Sequence, residues 1–168
     1  MLPHYVHIYQ RPAQGSAFIE RRLAYGYRHR ISAVGGFDTM SCALTPLSLD
    51  EGKDFVNNYL GCRVAVYVDD PVVPIWEGFI NRIRFASGAG EWSISLDEMY
   101  NRSTVSYTVT GTTQTSNTTA TNDTDSQAIY GIKQINVDQG VQANATAPNE
   151  IRDTNPAVYA WPKATMMP

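Results

Sequence analysis

The chain has 168 residues, which is enough for one domain with a sizeable core, and its formal net charge is −3. Neutralising nucleic-acid phosphates needs an excess of cationic side chains, so this composition argues against a general nucleic-acid-binding protein. Met1 is not followed by a charged and then apolar leader, and no apolar run is long enough to cross a bilayer. We therefore expect no signal peptide and no membrane partner.

The charge is unevenly distributed along the chain. Residues 1–34 contain five arginines and one glutamate, a net charge of +4, which leaves −7 for the remainder. One end of a molecule attracting the other end of a neighbouring copy is one use of this asymmetry. Two solvated faces of a monomer are the other.

The first predicted elements are strands. Residues 4–9 alternate and are rich in β-formers, so they predict a strand. Residues 10–28 show no clear period and predict an arm or long loop with some strand character. Two more strands are predicted over 28–34 and 37–44, with glycines between them that end or bulge the first one.

One helix is predicted midway. Ser48 and Glu51 form a capping-box pattern, in which the serine caps the helix and the glutamate reaches back. Apolar side chains then follow at helical spacing, and Gly61 supplies a stop. The pattern predicts an inserted α-helix over about 49–60.

Strands resume after this helix. Residues 62–68 alternate valine with other side chains, and the segments 75–85 and 91–97 also predict strands. Turns are predicted at 69–71 and 87–90. A mainly β fold follows, either a curved sheet or a small barrel or sandwich capped by one helix, with extended arms and loops.

The composition changes after Asn101. Residues 103–126 are dominated by Thr, Ser and Asn and predict a loop or arm with little to bury. Residues 127–168 predict a returning strand and a C-terminal segment with a short helix at about 148–159, packing on the core or on neighbours. The predicted core, including the arm at 10–28, is therefore residues 1–102.

The chemistry-bearing residues do not form a recognisable reactive pattern. His4 and His7 fall on opposite faces of one strand, and Cys-x-x-Cys and Gly-x-Ser-x-Gly are absent. Cys42 and Cys62 lie in strands among apolar neighbours, which is typical of reduced, inert thiols. We therefore predict no catalytic residue, no metal and no cofactor.

Two other kinds of site stay open. The carboxylate pairs Asp69-Asp70 and Asp97-Glu98 could serve a hydrolase only if they faced each other across a cleft, and turn chemistry explains the first pair better. Trp76 and Trp92, with the tyrosines, could stack on sugars in a carbohydrate- or receptor-binding module. A core or interface role for these tryptophans is the simpler interpretation.

The order of several short motifs is informative. Four short motifs follow one another along the chain. The first, residues 34–37, precedes a strand, and the second, Tyr59-Leu60-Gly61, leads from the helix into the valine strand. The third, Pro74-Ile75-Trp76-Glu77-Gly78, opens the next strand, and the fourth, Asp125–Gly131, ends in Tyr-Gly. This succession, over roughly residues 30–135, resembles the baseplate hub and distal tail proteins of tailed bacteriophages. Those proteins are usually longer, so either a second barrel is expected to be missing here or the chain is a shorter relative.

The resemblance implies a non-enzymatic virion protein of the tail. Its tube-type domain would join copies of itself into a trimeric or hexameric ring, touching neighbouring tail or baseplate proteins, while DNA passes through the channel without specific binding. The arm at 10–28 and the loop at 103–126 would become ordered on meeting neighbours. We expect the contacts between subunits to include Arg21, Arg22, Tyr25, Tyr27 and Tyr107.

Overall fold

The computed structural model describes residues 2–34, 36–45, 48–69, 72–87 and 90–167. The chain separates into two units, the first made of residues 1–96 with 164–168 and the second of residues 97–163. The fold is mainly β, with a nearly closed barrel-like sheet, as the sequence predicts. The predicted inserted helix and the predicted C-terminal helix are both present, and the described part of the chain forms a further α-helix between them.

The first unit contains most of the strands. In chain order its elements are β1 (His4–Tyr9), β2 (Phe18–Ser32), β3 (Gly36–Ala43), α1 (Leu49–Asn58), β4 (Arg63–Val68), β5 (Trp76–Phe79), β6 (Arg82–Ser87) and β7 (Gly90–Ser95). Five of them form an antiparallel sheet in the order β3-β2-β1-β4-β5. Because β3 also approaches β5, the two edges of this sheet come close and the barrel is nearly closed.

The core of this unit follows from strand alternation. Val6 and Ile8 of β1 point to the same side as Val64 and Val66 of β4, and Trp76 of β5 joins them. All five side chains are buried. Burying an aliphatic side chain of this size contributes about 1.5–3 kcal/mol, so this cluster is the main source of cohesion in the barrel.

Helix α1 begins where the capping pattern predicts. The hydroxyl oxygen of Ser48 accepts a hydrogen bond from the backbone N–H of Glu51 at 3.1 Å. The helix packs against β6 at Gly52, where a Cβ would overlap the ring of Phe85. Glycine is therefore required there by close approach rather than by backbone conformation.

The predicted arm at 10–28 is not an arm. Residues 12–14 form one 3-10 turn, and residues 18–28 belong to β2, which pairs with β1 up to Ala24 and with β3 beyond it. Arg11 is buried and fixes the turn, because its guanidinium donates to the carbonyl oxygens of Asn58 and Leu60, both at 2.7 Å. The irregular sequence period here reflects a strand with exposed apolar and charged side chains.

The segment 75–85 is two strands rather than one. The chain bends at Ile80, whose backbone N–H donates to the carbonyl of Cys62 at 2.9 Å, and β5 and β6 then belong to different sheets. Strand β6 pairs with β7, and β7 also pairs with β12 (Lys163–Met167) at the end of the chain. The predicted turn residues Asp70, Pro71, Gly88 and Ala89 lie outside the described residues.

The second unit contains strands in the segment that is rich in Thr, Ser and Asn. Its elements are β8 (Arg102–Val109), β9 (Thr115–Asn117), β10 (Thr121–Asn122), α2 (Thr124–Tyr130), β11 (Gln134–Gln142) and α3 (Thr146–Tyr159). Strand β8 pairs with β9 and β10 antiparallel and with β11 parallel. The segment 103–126, predicted as a loop or arm, therefore consists largely of paired strands, because threonine is a good strand former when its backbone has partners.

A hydrogen-bond network fills the interior of the second unit. The fully buried amide of Asn101 donates to the hydroxyl of Ser126 at 3.2 Å and to the carbonyl of Gly131 at 2.8 Å, and its oxygen accepts from the N–H of Lys133 at 2.8 Å. Helix α3 covers β8, and the carbonyl of Ala160 accepts from Ser126 at 2.5 Å. Buried hydrogen bonds thus contribute to the stability of the second unit, whereas the interior of the barrel is mainly apolar.

No helix within the described ranges is long and apolar enough to span a bilayer.

Candidate assembly surfaces

The outer side of the barrel carries a cluster of aromatic rings. The register places Tyr5, His7 and Tyr9 of β1 on the side opposite the core residues Val6 and Ile8. Cross-strand partners extend this side over four strands. We call it the aromatic face, and it consists of Tyr5, His7, Tyr9, Phe18, Arg21, Leu23, Arg63, Tyr67, Glu77 and Phe79.

The rings of the aromatic face contact each other. The ring of His7 lies 4.6 Å from that of Tyr67 and 5.6 Å from that of Phe18, and Phe18 lies 5.7 Å from Tyr9 in an edge-to-face arrangement. Such pairs contribute about 0.5–1.5 kcal/mol beyond burial alone. Because the rings contact each other, they form one continuous patch rather than a set of separate side chains.

Both arginines of the face lie over aromatic rings. The guanidinium carbon of Arg21 is 3.6 Å from the centroid of the Tyr5 ring, and that of Arg63 is 4.8 Å from the Tyr9 ring. Arg63 also forms an ion pair with Glu77 at 2.9 Å. These arginines therefore contribute contact area with aromatic rings as well as positive charge, and arginine is enriched in protein interfaces for both reasons.

The setting of His7 disfavours the protonated form of its imidazole. Burial lowers the pKa of its imidazole, and the nearby charge of Arg21 lowers it further. Its Nε2 atom is enclosed and has no hydrogen-bond partner within the part of the chain that the structure describes. A positive charge on His7 is therefore disfavoured at the centre of the aromatic face.

The rim of the aromatic face remains open to solvent. Phe18 and Phe79 are each 56% exposed, and Leu23 is also exposed. Exposed apolar side chains that occur singly are ordinary, but a contiguous aromatic patch is typical of an interaction surface.

A second apolar surface lies at the end of the first sheet. We call residues 25–34 and 36–43, where β2 pairs with β3 beyond the reach of β1, the ribbon. It exposes Ile31, Val34 and Phe37, and Val34 is 90% exposed. Other side chains of the ribbon, such as Tyr27 and Met40, pack on the core of the barrel, so its apolar exposure is concentrated near the hairpin end.

The five predicted contact residues lie in different settings. Arg21 belongs to the aromatic face, and Tyr25 is exposed at the base of the ribbon. Arg22 instead points inward and pairs with Glu20 and Glu51 at 2.8 and 2.5 Å.

The two remaining tyrosines are half-buried. Tyr27 stacks between His4 and His29, and burial, with a smaller effect of Cys42, raises its pKa to about 12. Tyr107 lies in β8 of the second unit. The structure thus brings only Arg21 and Tyr25 near the exposed surfaces of the barrel, and an assembly role for all five residues stays a prediction.

The second unit carries a polar concavity. A shallow cavity of about 400 Å³ is lined by Thr104, Ser106, Asn117 and Asn136. The hydroxyl of Thr104 donates to the amide oxygen of Asn136, which also accepts from Gln134 at 2.6 Å. Every lining group is neutral and can donate or accept hydrogen bonds.

The other candidate residues from the sequence are placed as follows. Trp76 is only 5% exposed and belongs to the core, so the core interpretation holds for it, while Trp92 of β7 is half-buried beside Phe85. Cys42 and Cys62 are free thiols whose pKa values are raised by burial.

The carboxylate pairs are distributed over both units. Asp69 lies in the first unit, and Asp97 and Glu98 lie exposed in the second, while Asp70 is outside the described residues. Among the residues that the structure describes, no group of three His, Cys, Asp or Glu side chains is arranged to hold a metal ion.

Comparison with known proteins gives no relative, because no protein-family model, no curated protein and no solved structure matches the chain. Function is therefore inferred from the residues and their geometry.

Sequence reasoning missed the aromatic face. The sequence shows that Tyr5, His7 and Tyr9 alternate with other residues, which predicts that the three rings share one side of β1. Their neighbours Phe18 and Tyr67 come from other strands, and only the register brings them together.

Proposed function

We propose that the chain is a non-enzymatic structural subunit that assembles with copies of itself into a ring in the tail of a bacteriophage, as part of the hub, tip or tube. In this role it lines the channel through which DNA passes and joins neighbouring tail or baseplate proteins. The observation that carries the proposal is that the barrel exposes two different apolar surfaces, the aromatic face and the ribbon.

Two unlike surfaces favour a ring over a two-fold dimer. In a symmetric dimer one patch meets itself, whereas in a ring each subunit presents one surface to the neighbour on each side. The aromatic face and the ribbon differ in shape and composition, which suits the second arrangement. The motif order that resembles tail hub proteins supports placing such a ring in a phage tail.

Native mass spectrometry of the full chain tests the ring. We expect a discrete closed oligomer of three or six copies whose size does not grow with concentration, and a ring outline by negative-stain electron microscopy. A single chain at every concentration, or an oligomer that is only a dimer, would contradict the proposal.

A second candidate function is carbohydrate binding by the polar concavity. Its neutral hydroxyl and amide groups at Thr104, Ser106, Asn117 and Asn136 match the hydrogen-bonding pattern of sugar hydroxyls. A glycan array probed with the full chain tests it, with Asn136→Ala as the variant. Glycan binding by the wild type that Asn136→Ala abolishes would favour this function. If the array shows no binding, carbohydrate binding is rejected and the ring is the remaining proposal.

A further inference from the structure

Three arginines lie on the outer side of strand β2. Arg21 belongs to the aromatic face, which is on the outer side of the barrel. Further along the strand, Arg28 lies opposite Ser41 of β3, on the side away from the core-packed Met40. Alternation places Arg30 on the same side as Arg28. We use the name arginine row for these three side chains together with Tyr25, which lies between Arg21 and Arg28 on this side.

A bulge in β2 keeps the arginine row on one side. Tyr25 lies opposite Ala43 and Arg28 lies opposite Ser41, so β2 has one more residue than β3 between these two pairs. Gly26 lies in this interval with a φ of 58°, a conformation that favours glycine. Without the extra residue, the arginines beyond the bulge would face the core side of the sheet.

The arginine row accounts for the positive charge at the start of the chain. Residues 1–34 contain five arginines and one glutamate. Two of these arginines are used inside the molecule, since Arg11 is buried against backbone carbonyls and Arg22 points inward to two glutamates. The other three form the row, so the positive charge is gathered on one strand although the whole chain has a net charge of −3.

The charges of the row are accessible to a ligand. Arg21 and Arg28 form no ion pair within the described part of the chain. Arg30 pairs with Asp38 at 3.3 Å, but its side chain is 79% exposed. Exposed ion pairs of this kind contribute little free energy, so an incoming anion can replace the carboxylate.

Aromatic rings accompany these charges. Tyr25 is 50% exposed in the middle of the row, and the guanidinium of Arg21 lies 3.6 Å above the ring of Tyr5. Proteins that bind single-stranded nucleic acid without sequence preference combine cationic side chains for the phosphates with exposed rings on which bases stack. The row offers both along one strand, over roughly 25–30 Å.

The order of the strands supports the same kind of ligand independently. Strands β1, β2 and β3 form a meander, α1 follows, and β4 returns beside β1 and pairs with β5, which approaches β3. Small five-stranded Greek-key barrels bind oligonucleotides on the side formed by their second and third strands. A fold alone does not select a ligand, but the arginine row lies on this side of the barrel.

We propose that the arginine row binds single-stranded nucleic acid without sequence preference. The three guanidiniums contact successive phosphates, and a base stacks on Tyr25. This inference goes beyond the proposed ring assembly and does not depend on it, because the row is present in every single chain.

Fluorescence anisotropy of the full chain with a labelled oligo-dT of about 16 nucleotides tests the inference. We expect a Kd of roughly 1–100 µM at physiological salt, and an affinity that falls as the salt concentration rises. Circular dichroism and thermal melting check that the variants fold, which we expect because the substituted side chains are exposed.

The double variant Arg28→Gln/Arg30→Gln tests the phosphate contacts. Its affinity should be about tenfold lower, and the slope of log affinity against log salt should fall by about 1.4, since each phosphate contact contributes about 0.7. The matched control is Arg84→Gln at an arginine of β6 whose side chain is 63% exposed. It should bind oligo-dT like the wild type.

Substitution of Tyr25 tests the stacked base. Tyr25→Ala should lower the affinity by roughly 5- to 150-fold without changing the salt slope, because a stacking contact releases no counterions. Tyr25→Phe keeps the aromatic ring and should bind like the wild type. A loss that is equal in both variants would contradict stacking on this side chain.

The remaining outcomes separate this inference from the ring assembly. If the wild type does not bind oligo-dT, or if the double variant binds as well as Arg84→Gln, the inference is wrong and the mass measurement alone decides the ring assembly. Equal affinity for a DNA duplex or for polyphosphate would reject the single strand as the ligand. Tighter binding of heparin through the same arginines would assign the row to an acidic polysaccharide. A wild-type oligomer that dissociates in the double variant would assign the row to a contact between copies.

Discussion

The two units of the molecule have different kinds of interior. The barrel buries a cluster of aliphatic side chains and Trp76, with Val64 and Val66 at its centre. The second unit buries Asn101, Ser103 and Ser126 together with the apolar side chains of Met99, Val105 and Ala160. The interior of the barrel is thus mainly apolar, whereas the interior of the second unit combines apolar packing with directed hydrogen bonds.

This difference explains why the surfaces differ as well. In the barrel, one side of β1 and β4 faces the apolar core, and the opposite side of the same strands carries the aromatic face. In the second unit the outer side of β8 and β11 is lined by neutral polar groups such as Thr104 and Asn136. We conclude that the barrel carries the candidate assembly surfaces, while the second unit presents a polar one.

The largest expected effect comes from the apolar core. Ile8 is 0% exposed, so Ile8→Ala should lower the free energy of unfolding by about 2–5 kcal/mol through lost transfer energy and the remaining cavity. Urea denaturation measures this. The matched control is Ile132→Ala at an exposed position, which should change stability by less than about 0.5 kcal/mol. Equal effects of the two variants would contradict the assignment of the core.

A somewhat smaller effect should follow from breaking the polar core. Asn101→Ala leaves the carbonyl of Gly131 and the N–H of Lys133 without their side-chain partner, which should cost about 2–3 kcal/mol. Hydrogen exchange followed by mass spectrometry should show faster exchange in residues 97–163 and little change in the barrel.

The control for this change is Asn117→Ala on the exposed surface of β9, with an expected cost below about 0.5 kcal/mol. Protection that falls equally in both units after Asn101→Ala would mean that they do not differ in the way described.

The smallest effect concerns pH and the aromatic face. The folded-state pKa of His7 lies below its unfolded value of 6.5, so the folded barrel resists protonation of this ring. His7 therefore costs no stability well above pH 6.5, and stability falls as the pH drops below 6.5 until it passes the folded-state pKa. The groups around it are Arg21 on β2, Arg63 and Tyr67 on β4 and Glu77 on β5.

Thermal melting of wild type and His7→Phe between about pH 8 and pH 5 measures this effect. The wild type should lose more of its melting temperature on acidification than the variant, which lacks the titrating group. Parallel losses in both proteins would show that His7 has no part in the pH dependence.

Local patterns in the sequence predicted several elements correctly. The strand at β1, the valine strand at β4 and the start of α1 at Ser48 all follow from alternation or capping chemistry, which act within a few residues. The helix at about 148–159 is confirmed as α3, which begins two residues earlier. These elements form because neighbours along the chain already specify them.

The failures share one cause. The alternation of Val105, Tyr107 and Val109 indicates at most an exposed hairpin arm, because the backbone partners of β8 in β11 lie some thirty residues further along the chain. Helix α2 has a sequence signal in Asp123, whose carboxylate accepts from the N–H of Ser126 at 2.9 Å, but the surrounding threonines concealed it. The division of 75–85 likewise depends on the contact of Ile80 with Cys62.

The sequence by itself determined which side chains share a side of each strand and where the first helix begins. Only the tertiary structure decided which of those sides meet, so that Tyr5, His7 and Tyr9 became part of a face with Phe18 and Tyr67. The physical reason is that alternation is a property of one strand, whereas register is fixed by hydrogen bonds and packing between segments far apart in the chain. The same holds for Asn101, whose burial is tolerable only because distant backbone groups satisfy its amide.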